Sequence, residues 1–278
     1  MIGVGPFPIG VVIVAAALLL GWVTARMIAA RQPEVSAKAA GGMLVDAAFW
    51  GLVAARLGYV AQWSNEYLAA PTSVIAIGDG GFSWPVGVVA AIALVGWRTR
   101  SARALRRPVL TGIAVGVLGW LVAGGVLDVL QRSVPSLPDV QLSTIDGRPV
   151  DLNAYAGRPV VLNLWASWCP PCRREMPVFE QAQADFPDVA FVMVNQGESP
   201  RQASAFLARE GLTFKDALLD PSSKTQHALG AQGLPTTLFF DAEGRLIDAH
   251  LGELSRARLK QTLSQRLAQP AQTHTDRK

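Results

Sequence analysis

The sequence predicts an α-helical transmembrane bundle of about four spans, followed by an α/β domain with a central mixed sheet. Three observations lead to this prediction. Residues 1–130 are mostly Ala, Val, Leu, Gly and Trp, whereas the rest of the 278-residue chain has the composition of a soluble domain. The first part contains four apolar runs of the length that a bilayer requires. In the second part, short apolar runs alternate with amphipathic ones, which is typical of strands alternating with helices.

The four apolar runs cover about residues 7–25, 43–63, 82–97 and 109–130. At roughly 1.5 Å of rise per residue, helices of this length cross a bilayer, the third one together with its flanks. No Lys or Arg precedes the first run, so it lacks the basic start of a secretory signal peptide. We therefore expect a multi-pass membrane domain over residues 1–130.

The charges of the membrane part predict its orientation. Residues 1–130 contain 9 of the 25 Lys and Arg residues but 5 of the 21 Asp and Glu residues, so the net charge of +4 belongs to this part. Eight of the nine lie in segments 26–38 and 98–107, whereas residues 62–81 contain none. Because basic loops stay in the cytoplasm, we expect a bacterial inner-membrane protein with its N-terminus and second domain in the periplasm. Membrane topology thus accounts for the basic charge, and no nucleic-acid partner is expected.

The second part is predicted to begin with a Pro-containing linker, 131–139, followed by a domain over 140–268 and a disordered tail over 269–278. A hairpin around the Asp146-Gly147 turn opens the domain. After the hairpin we expect strands over 160–165, 189–195, 217–219, 236–240 and 245–252, and helices over 173–185, 200–210, 222–229 and 254–267.

The sequence Trp-Cys-Pro-Pro-Cys at 168–172 joins a predicted strand to a predicted helix. Cys169 falls at the N-cap and Pro170 at the first helical position, where a missing N–H is harmless. A sulfur there faces unpaired amides and the positive end of the helix dipole, which favour the thiolate. Cys172, three residues on, is close enough to close a disulfide. A zinc site would need two further Cys or His ligands at a suitable spacing, so we predict a redox pair and no metal ion.

These residues also carry a family resemblance. Residues 163–172 resemble the active-site corner of the thioredoxin fold in TlpA/ResA-type membrane-anchored disulfide reductases. The resemblance continues through Val-Asn-Gln-Gly-Glu-Ser at 194–199 and Gly-Leu-Pro-Thr-Thr at 233–237, and covers about residues 138–268. It implies a thioredoxin-like fold in which Cys169 attacks a substrate disulfide and Cys172 resolves the mixed disulfide.

The resemblance also implies a substrate-binding surface. Pro235 is expected to be a cis-proline, which would leave the backbone of Leu234 able to pair with an extended substrate peptide. An ordinary trans proline before a strand is the alternative. Trp168 is expected to shield the cysteines as an apolar platform, although a core aromatic would be equally ordinary at this position.

The chain departs from the thioredoxin pattern at a position that takes part in proton transfer. Thioredoxin has a buried aspartate six residues before its first cysteine, and this chain has Asn163 there, which cannot accept the proton that Cys172 must lose. By resemblance, Glu198 is the candidate acceptor. The alternative is a solvated loop glutamate.

The membrane part resembles the first half of a prolipoprotein diacylglyceryl transferase in two stretches, 55–59 and 80–87. In that family a histidine follows the Gly-Gly-x-Ser-aromatic run, where this chain has Pro85, and the later spans have no counterpart after Leu130. We therefore expect a truncated, derived anchor, with lipid or partner binding left open. Arg56 either snorkels to the interface or faces inward as a ligand contact.

The leading hypothesis is a membrane-tethered thiol–disulfide oxidoreductase that reduces periplasmic proteins by dithiol exchange, as in cytochrome c biogenesis, without a cofactor. Because the membrane part contains no cysteine, a separate DsbD/CcdA-type electron donor is expected. One alternative is an oxidase or isomerase of the same fold. Another is a lipid-binding or lipid-modifying membrane protein with an appended redox domain.

Overall fold

The computed structural model describes residues 3–4, 7–69, 71–75, 77–130 and 136–267. The predicted tail, and residues 131–135 of the predicted linker, lie outside the described residues. The chain forms two compact units, one over 2–68 and 81–133 and the other mainly over 69–80 and 134–278.

The first unit is helical. Its elements are a two-stranded hairpin β1 (Gly3–Val4) and β2 (Phe7–Pro8), helices α1 (Ile9–Ala30), α2 (Ala37–Gln62), α3 (Ser64–Ala69) and α4 (Trp84–Ser101), a 3₁₀ turn at Arg103–Leu105, and helix α5 (Arg106–Leu130). Between α3 and α4, the 3₁₀ turns at Pro71–Ile75 and Ile77–Asp79 are part of the other unit. The segments Ile9–Ala30, Ala37–Gln62 and Arg103–Leu127 are long and apolar enough to cross a membrane. The predicted third run corresponds to α4, which has 18 residues and carries Arg98 and Arg100 in its last turn. The helical bundle is thus confirmed, with a number of spans close to the expected four.

Glycines allow the helices of this bundle to approach closely. Helix α1 packs against α5, and α2 packs against α4. A Cβ atom on Gly112 would lie 2.6 Å from the carbonyl oxygen of Gly21, and one on Gly87 would lie 2.8 Å from that of Gly51. Small residues at such crossings are the usual basis of helix association in lipid, where no hydrophobic driving force operates between helices.

The second unit is the predicted α/β domain. Its elements are β3 (Gln141–Thr144), β4 (Pro149–Asp151), a 3₁₀ turn (Leu152–Tyr155), β5 (Val160–Trp165), α6 (Pro170–Asp185), β6 (Ala190–Gln196), α7 (Pro200–Glu210), β7 (Asp216–Asp220), α8 (Lys224–Ala228), β8 (Thr236–Phe240), β9 (Leu246–Leu251), α9 (Arg256–Thr262) and a π-helical turn (Leu263–Leu267). Packed residues begin before the predicted start at Val140, because Leu137 is buried and its N–H donates to the Gly244 carbonyl over 2.9 Å.

The strands form one sheet of order β4-β3-β7-β6-β5-β8-β9. Strands β5, β6 and β7 are parallel, and all other pairs are antiparallel, so the expected mixed sheet is confirmed. Each residue of β5 is buried, as its continuous apolar sequence predicts for an internal strand covered on both faces.

Alternation along β5 sorts its side chains between two cores. Val161 and Trp165 pack with residues of α6, α7 and α9, whereas Leu162 and Leu164 pack on the opposite face. Asn163 has the same parity as Val161 and Trp165, so it points toward the face that α6 covers.

Local signals set the ends of α7. The Ser199 hydroxyl accepts from the Gln202 N–H, and the Gln202 side chain accepts from the Ser199 N–H, which forms a capping box. Gly211 ends the helix with φ of 67°, a left-handed conformation that favours glycine, as the sequence predicts.

Candidate active site

The cysteine pair lies where β5 leads into α6. Cys169 is the N-cap of α6, with Pro170 directly after it, as predicted. A disulfide joins Cys169 to Cys172, with the two Cα atoms 5.3 Å apart. Neither Pro170 nor Pro171 has an N–H group, so Cys172 provides the first free amide of the helix, and this amide donates to the Cys169 sulfur over 3.3 Å. A thiolate formed at Cys169 on reduction would face this amide and the helix dipole.

Both cysteines are packed into the core in this oxidised form. Cys169 is 3% exposed and Cys172 is fully buried. The sulfur of Cys169 is thus the more accessible of the two, which agrees with the order of roles expected from the sequence. To reach the Cys169 sulfur, the client disulfide must contact the junction between β5 and α6 directly.

An apolar side chain stands beside the buried pair. Trp168 is 68% exposed, so the interpretation as a core aromatic is wrong, and its role as an apolar platform stays a prediction. The Leu234–Pro235 bond is cis, as predicted. The pairing of Leu164 with Thr236 puts the Pro235 loop at the end of β5 where the cysteine corner begins. Within the described part of the chain, the Leu234 backbone N–H and carbonyl form no hydrogen bond, which leaves both available to a peptide.

A buried carboxyl group follows Cys172 by three residues on α6. Glu175 is 1% exposed, and its two oxygens accept from the Asn163 amide at 2.8 Å and from the Leu254 N–H at 2.9 Å. The same Asn163 amide group donates to the Thr237 hydroxyl at 3.0 Å. Burial raises the pKa of Glu175 to about 8, although the hydrogen bonds from Leu254 and Asn163 oppose this shift. A carboxyl group in this condition can exchange a proton near neutral pH.

Glu198 is also buried, and it joins two loops. Its carboxylate accepts from the Ser167 N–H at 2.7 Å, the Ser167 hydroxyl at 2.5 Å and the Asn195 amide at 2.6 Å. The alternative interpretation as a solvated loop glutamate is therefore wrong, since only 5% of the residue is exposed. These bonds tie the loop before Cys169 to the end of β6. A role in proton transfer stays a prediction.

Sequence reasoning identified the cysteines, the cis-proline and Trp168, but it missed Glu175. A signal was present in the sequence. On a helix, Cys172, Glu175, Met176 and Phe179 share one face, and the other three residue types predict that this face is buried. A glutamate within a buried helical face is unusual enough to indicate a specific role.

A reversible disulfide at a helix N-terminus, on this α/β fold and beside a cis-proline loop, defines the chain as a thiol–disulfide oxidoreductase of the thioredoxin type. Comparison with known protein families agrees with this assignment. Residues 134–263 match the Redoxin family, and residues 2–126 match the prolipoprotein diacylglyceryl transferase family.

The second unit is similar in sequence to individual known proteins. The thioredoxin-like protein YneN of Bacillus subtilis is 35% identical over 161 residues, which are 56% of this chain and 94% of YneN. The thiol-disulfide oxidoreductase ResA of Geobacillus thermodenitrificans is 32% identical over 168 residues, which are 59% of this chain and 96% of ResA. The solved structure of the exposed lipoprotein thioredoxin Etrx1 of Streptococcus pneumoniae aligns with a TM-score of 0.40 and 31% identity, covering 46% of this chain and 98% of Etrx1.

The chain therefore belongs to the ResA-type family of thioredoxin-like thiol–disulfide oxidoreductases, joined to an N-terminal segment of the diacylglyceryl transferase type. It is a membrane-anchored enzyme, and the extracytoplasmic reducing role expected from its sequence fits these relatives.

In the membrane unit, Arg56 faces inward. Its residue is 9% exposed, and its guanidinium donates to the Gly81 carbonyl at 2.8 Å. The guanidinium carbon lies 5.4 Å from the ring centre of Tyr67 and 5.8 Å from that of Phe82. Of the two interpretations made from the sequence, snorkelling to the interface is wrong, and Arg56 instead links α2 to the segment before α4.

Proposed function

We propose that this chain reduces disulfides in periplasmic client proteins, with both its N-terminus and its thioredoxin-like unit on the periplasmic side of the bacterial inner membrane. The observation that carries the proposal is the Cys169–Cys172 disulfide at the start of α6, next to the exposed Trp168.

The reaction is a dithiol exchange. In the reduced enzyme, the Cys169 thiolate attacks one sulfur of the client disulfide, the client S–S bond breaks, and the released client sulfur takes up a proton. Cys172 then loses its proton and attacks the Cys169 sulfur, which releases the second client thiol. Two electrons pass to the client, and the enzyme is left with the disulfide described above.

Client binding depends on the surface around the corner. Trp168 offers an exposed aromatic face for apolar side chains near the client disulfide. The backbone of Leu234 offers one N–H and one carbonyl to an extended client segment, in the manner of an added strand. Main-chain pairing of this kind accepts many sequences, which suits an enzyme that recognises a disulfide rather than one particular protein.

Two carboxyl groups are candidates for the proton that Cys172 loses. The sequence resemblance favours Glu198, whose hydrogen bonds go to Ser167 and Asn195. Glu175 lies on the same helix as Cys172, one turn further along, and burial raises the pKa of Glu175 to about 8. We propose Glu175 as the acceptor and Glu198 as the residue that positions the loop before Cys169.

The orientation is supported by the position of the basic segments. Residues 31–35 line one cavity together with residues 103, 104 and 107, so the connections after α1 and α4 lie at the same end of the bundle. The positive charge of this end favours a position in the cytoplasm. Helix α5 then leads to the periplasm, where exported proteins acquire their disulfides.

A reductase in the periplasm must be recharged there, because its surroundings are oxidising. The 278-residue chain contains two cysteines, both in the second unit, so its membrane unit has no thiol with which to relay electrons. A separate membrane donor of the DsbD/CcdA type is proposed for this step, and apocytochrome c is a client that fits the chemistry.

Trapping of mixed disulfides tests the roles proposed for the two cysteines. Cys172→Ser leaves the nucleophile in place but removes the resolving thiol, so we expect mixed disulfides with periplasmic proteins that dithiothreitol releases. The matched control, Cys169→Ser, should trap few or none. Equal trapping by both variants would contradict the assigned roles.

Two measurements test the direction of electron transfer and the side of the membrane on which the cysteines lie. A reduction potential more negative than that of the glutathione couple supports a reductase, and a more positive value favours the oxidase alternative. After mild reduction, a membrane-impermeant maleimide should label the cysteines in intact spheroplasts. Labelling that requires permeabilised membranes would reverse the orientation.

A further inference from the structure

A cavity of about 620 Å³ lies at the end of the membrane bundle that carries the basic connections. One wall is the turn after α1, which contributes Arg31, Glu34 and Val35. The other wall is the 3₁₀ turn between α4 and α5, which contributes Arg103, together with the first turn of α5, which contributes Arg107. Three guanidinium groups from two separate segments therefore surround one space, with a single carboxylate among them.

The cavity arginines have no acidic partner among the described residues. Arg98, in the last turn of α4, does have one, since it pairs with Asp46 at 2.5 Å. By contrast, across the described ranges Arg31, Arg103 and Arg107 form neither an ion pair nor a hydrogen bond to a carboxylate. All three are exposed to the cavity and to solvent. Their positive charge is thus available to an external anion.

The depth of the cavity matches that of a lipid headgroup. Helix α1 has 22 residues, a length of roughly 33 Å, which covers a hydrocarbon core of roughly 30 Å. Arg31 follows its last residue directly, so from this length we expect the guanidinium groups around the cavity to lie near the level of the lipid phosphates. Val35 lines the cavity and also belongs to an apolar cluster with Ala29, Met43 and Val109. The site therefore combines a basic rim with an apolar side, as a phospholipid requires.

From this arrangement we infer that the cavity binds the phosphodiester of an anionic phospholipid from the leaflet on its side of the membrane, which is the cytoplasmic leaflet in the proposed topology. Guanidinium groups suit this ligand because each presents two parallel N–H groups to two phosphate oxygens. Basic pockets between transmembrane helices on the cytoplasmic side are a recognised means of lipid recognition. The site is separate from the cysteine chemistry, so its failure would leave the proposed reductase function intact.

Native mass spectrometry of the full chain in a neutral detergent tests the inference. The probes are phosphatidylglycerol, zwitterionic phosphatidylethanolamine and inorganic phosphate. We expect phosphatidylglycerol to bind more tightly than phosphatidylethanolamine. Arg31→Gln/Arg107→Gln should weaken phosphatidylglycerol binding at least about tenfold, since each charge-assisted contact is worth about that factor.

A matched control variant distinguishes lipid binding at the cavity from general electrostatic attraction of the lipid to this end of the bundle. Lys38→Gln/Arg100→Gln removes two exposed charges from the same end of the bundle but outside the cavity lining, and should change the affinity less than about threefold. Arg31→Lys/Arg107→Lys keeps the charge but loses the bidentate geometry, and should give a partial loss while reducing any risk of misfolding. Size-exclusion profiles and thermal melting of the full chain in detergent check that the membrane unit of each variant is folded.

Three results would overturn the inference. If the cavity variant and the Lys38/Arg100 control lose affinity for phosphatidylglycerol equally, the lipid is attracted by the overall positive charge and not by a specific site. Equal binding of phosphatidylethanolamine would remove the role of lipid charge. Displacement of the lipid by an equal concentration of inorganic phosphate would identify the occupant as a free anion.

Discussion

The buried carboxyl group of Glu175 makes a testable link between stability and catalysis. Unfolded, this group loses its proton near its ordinary pKa of 4.5, whereas in the folded protein burial raises the pKa of Glu175 to about 8. Between these values the folded state binds more protons than the unfolded state. The free energy of unfolding must therefore fall as pH rises through this window.

The size of the effect follows from the shift. At about 1.4 kcal/mol per pH unit, this one group should remove roughly 3–4 kcal/mol of unfolding free energy between pH 5 and pH 8. Glu175→Gln abolishes the titration but gives up one oxygen acceptor for Asn163 or Leu254, at a loss of roughly 1–3 kcal/mol. We therefore expect the variant to be less stable than wild type at pH 5 and equally or more stable at pH 8.

Urea unfolding of a fragment starting at residue 134, repeated between pH 5 and pH 8, measures this crossover. The control is Glu243→Gln, which changes an exposed turn residue and should shift all points equally. If the difference between wild type and Glu175→Gln stays constant over this range, the carboxyl group does not hold its proton as argued.

The same variant tests the catalytic role. If Glu175 accepts the proton of Cys172, the rate at which the mixed disulfide is resolved should rise with pH through an inflection near 8 in wild type. In Glu175→Gln this inflection should disappear and the rate at pH 7 should fall by about 100-fold. A single-turnover assay with a client disulfide measures both. An unchanged profile would leave Glu198 as the remaining candidate.

Three further predictions concern other parts of the chain. Glu198→Ala removes the acceptor of three hydrogen bonds and should lower the free energy of unfolding by roughly 2–4 kcal/mol in urea titrations; wild-type stability would contradict its role in joining the two loops. Trp168→Ala should change stability by less than about 0.5 kcal/mol, because the ring is exposed. It should nevertheless raise KM for protein disulfides and not for a small disulfide, and an unchanged KM would exclude the platform role. Gly112→Leu should lower the melting temperature of the full chain in detergent, because its Cβ would lie 2.6 Å from the Gly21 carbonyl oxygen. Gly124→Leu, where nothing lies within 4 Å, is its control, and equal effects would argue against close packing of α1 on α5.

Those parts of the fold that depend on neighbouring residues were predictable from the sequence. The Cys-Pro-Pro-Cys corner determines both the start of α6 and the position of its disulfide, because N-cap geometry, the prolines and the three-residue spacing are all local. The end of α7 at Gly211 likewise depends on a local signal, the glycine at the C-cap. The positions of the strands followed from their apolar runs, with errors of about a residue at the ends.

Features that depend on distant residues were not predictable in this way. The environment of Glu175 is built by Asn163, which is 12 residues away, and by Leu254, which is 79 residues away. The local helical pattern predicts a buried face, but it does not give the hydrogen-bond partners of the carboxyl group, which come together only when α6 covers β5. For the same reason Glu198 could be suspected from its motif, but its bonds to Ser167, 31 residues away, appear only in the fold.

The two units divide the work in a way that the placement of cysteines requires. A thiol relay across a membrane needs cysteines within the membrane domain, and this one has none among residues 1–130. What the membrane unit can supply is confinement: a tethered enzyme meets a donor in the same bilayer at a much higher effective concentration than a free one does. If the proposed membrane donor recharges the enzyme, confinement benefits the recharging step more than the attack on soluble clients, since only the donor shares the membrane. On that proposal the anchor serves electron supply, and a soluble form of the second unit should lose turnover with a membrane donor while keeping its reactivity toward clients.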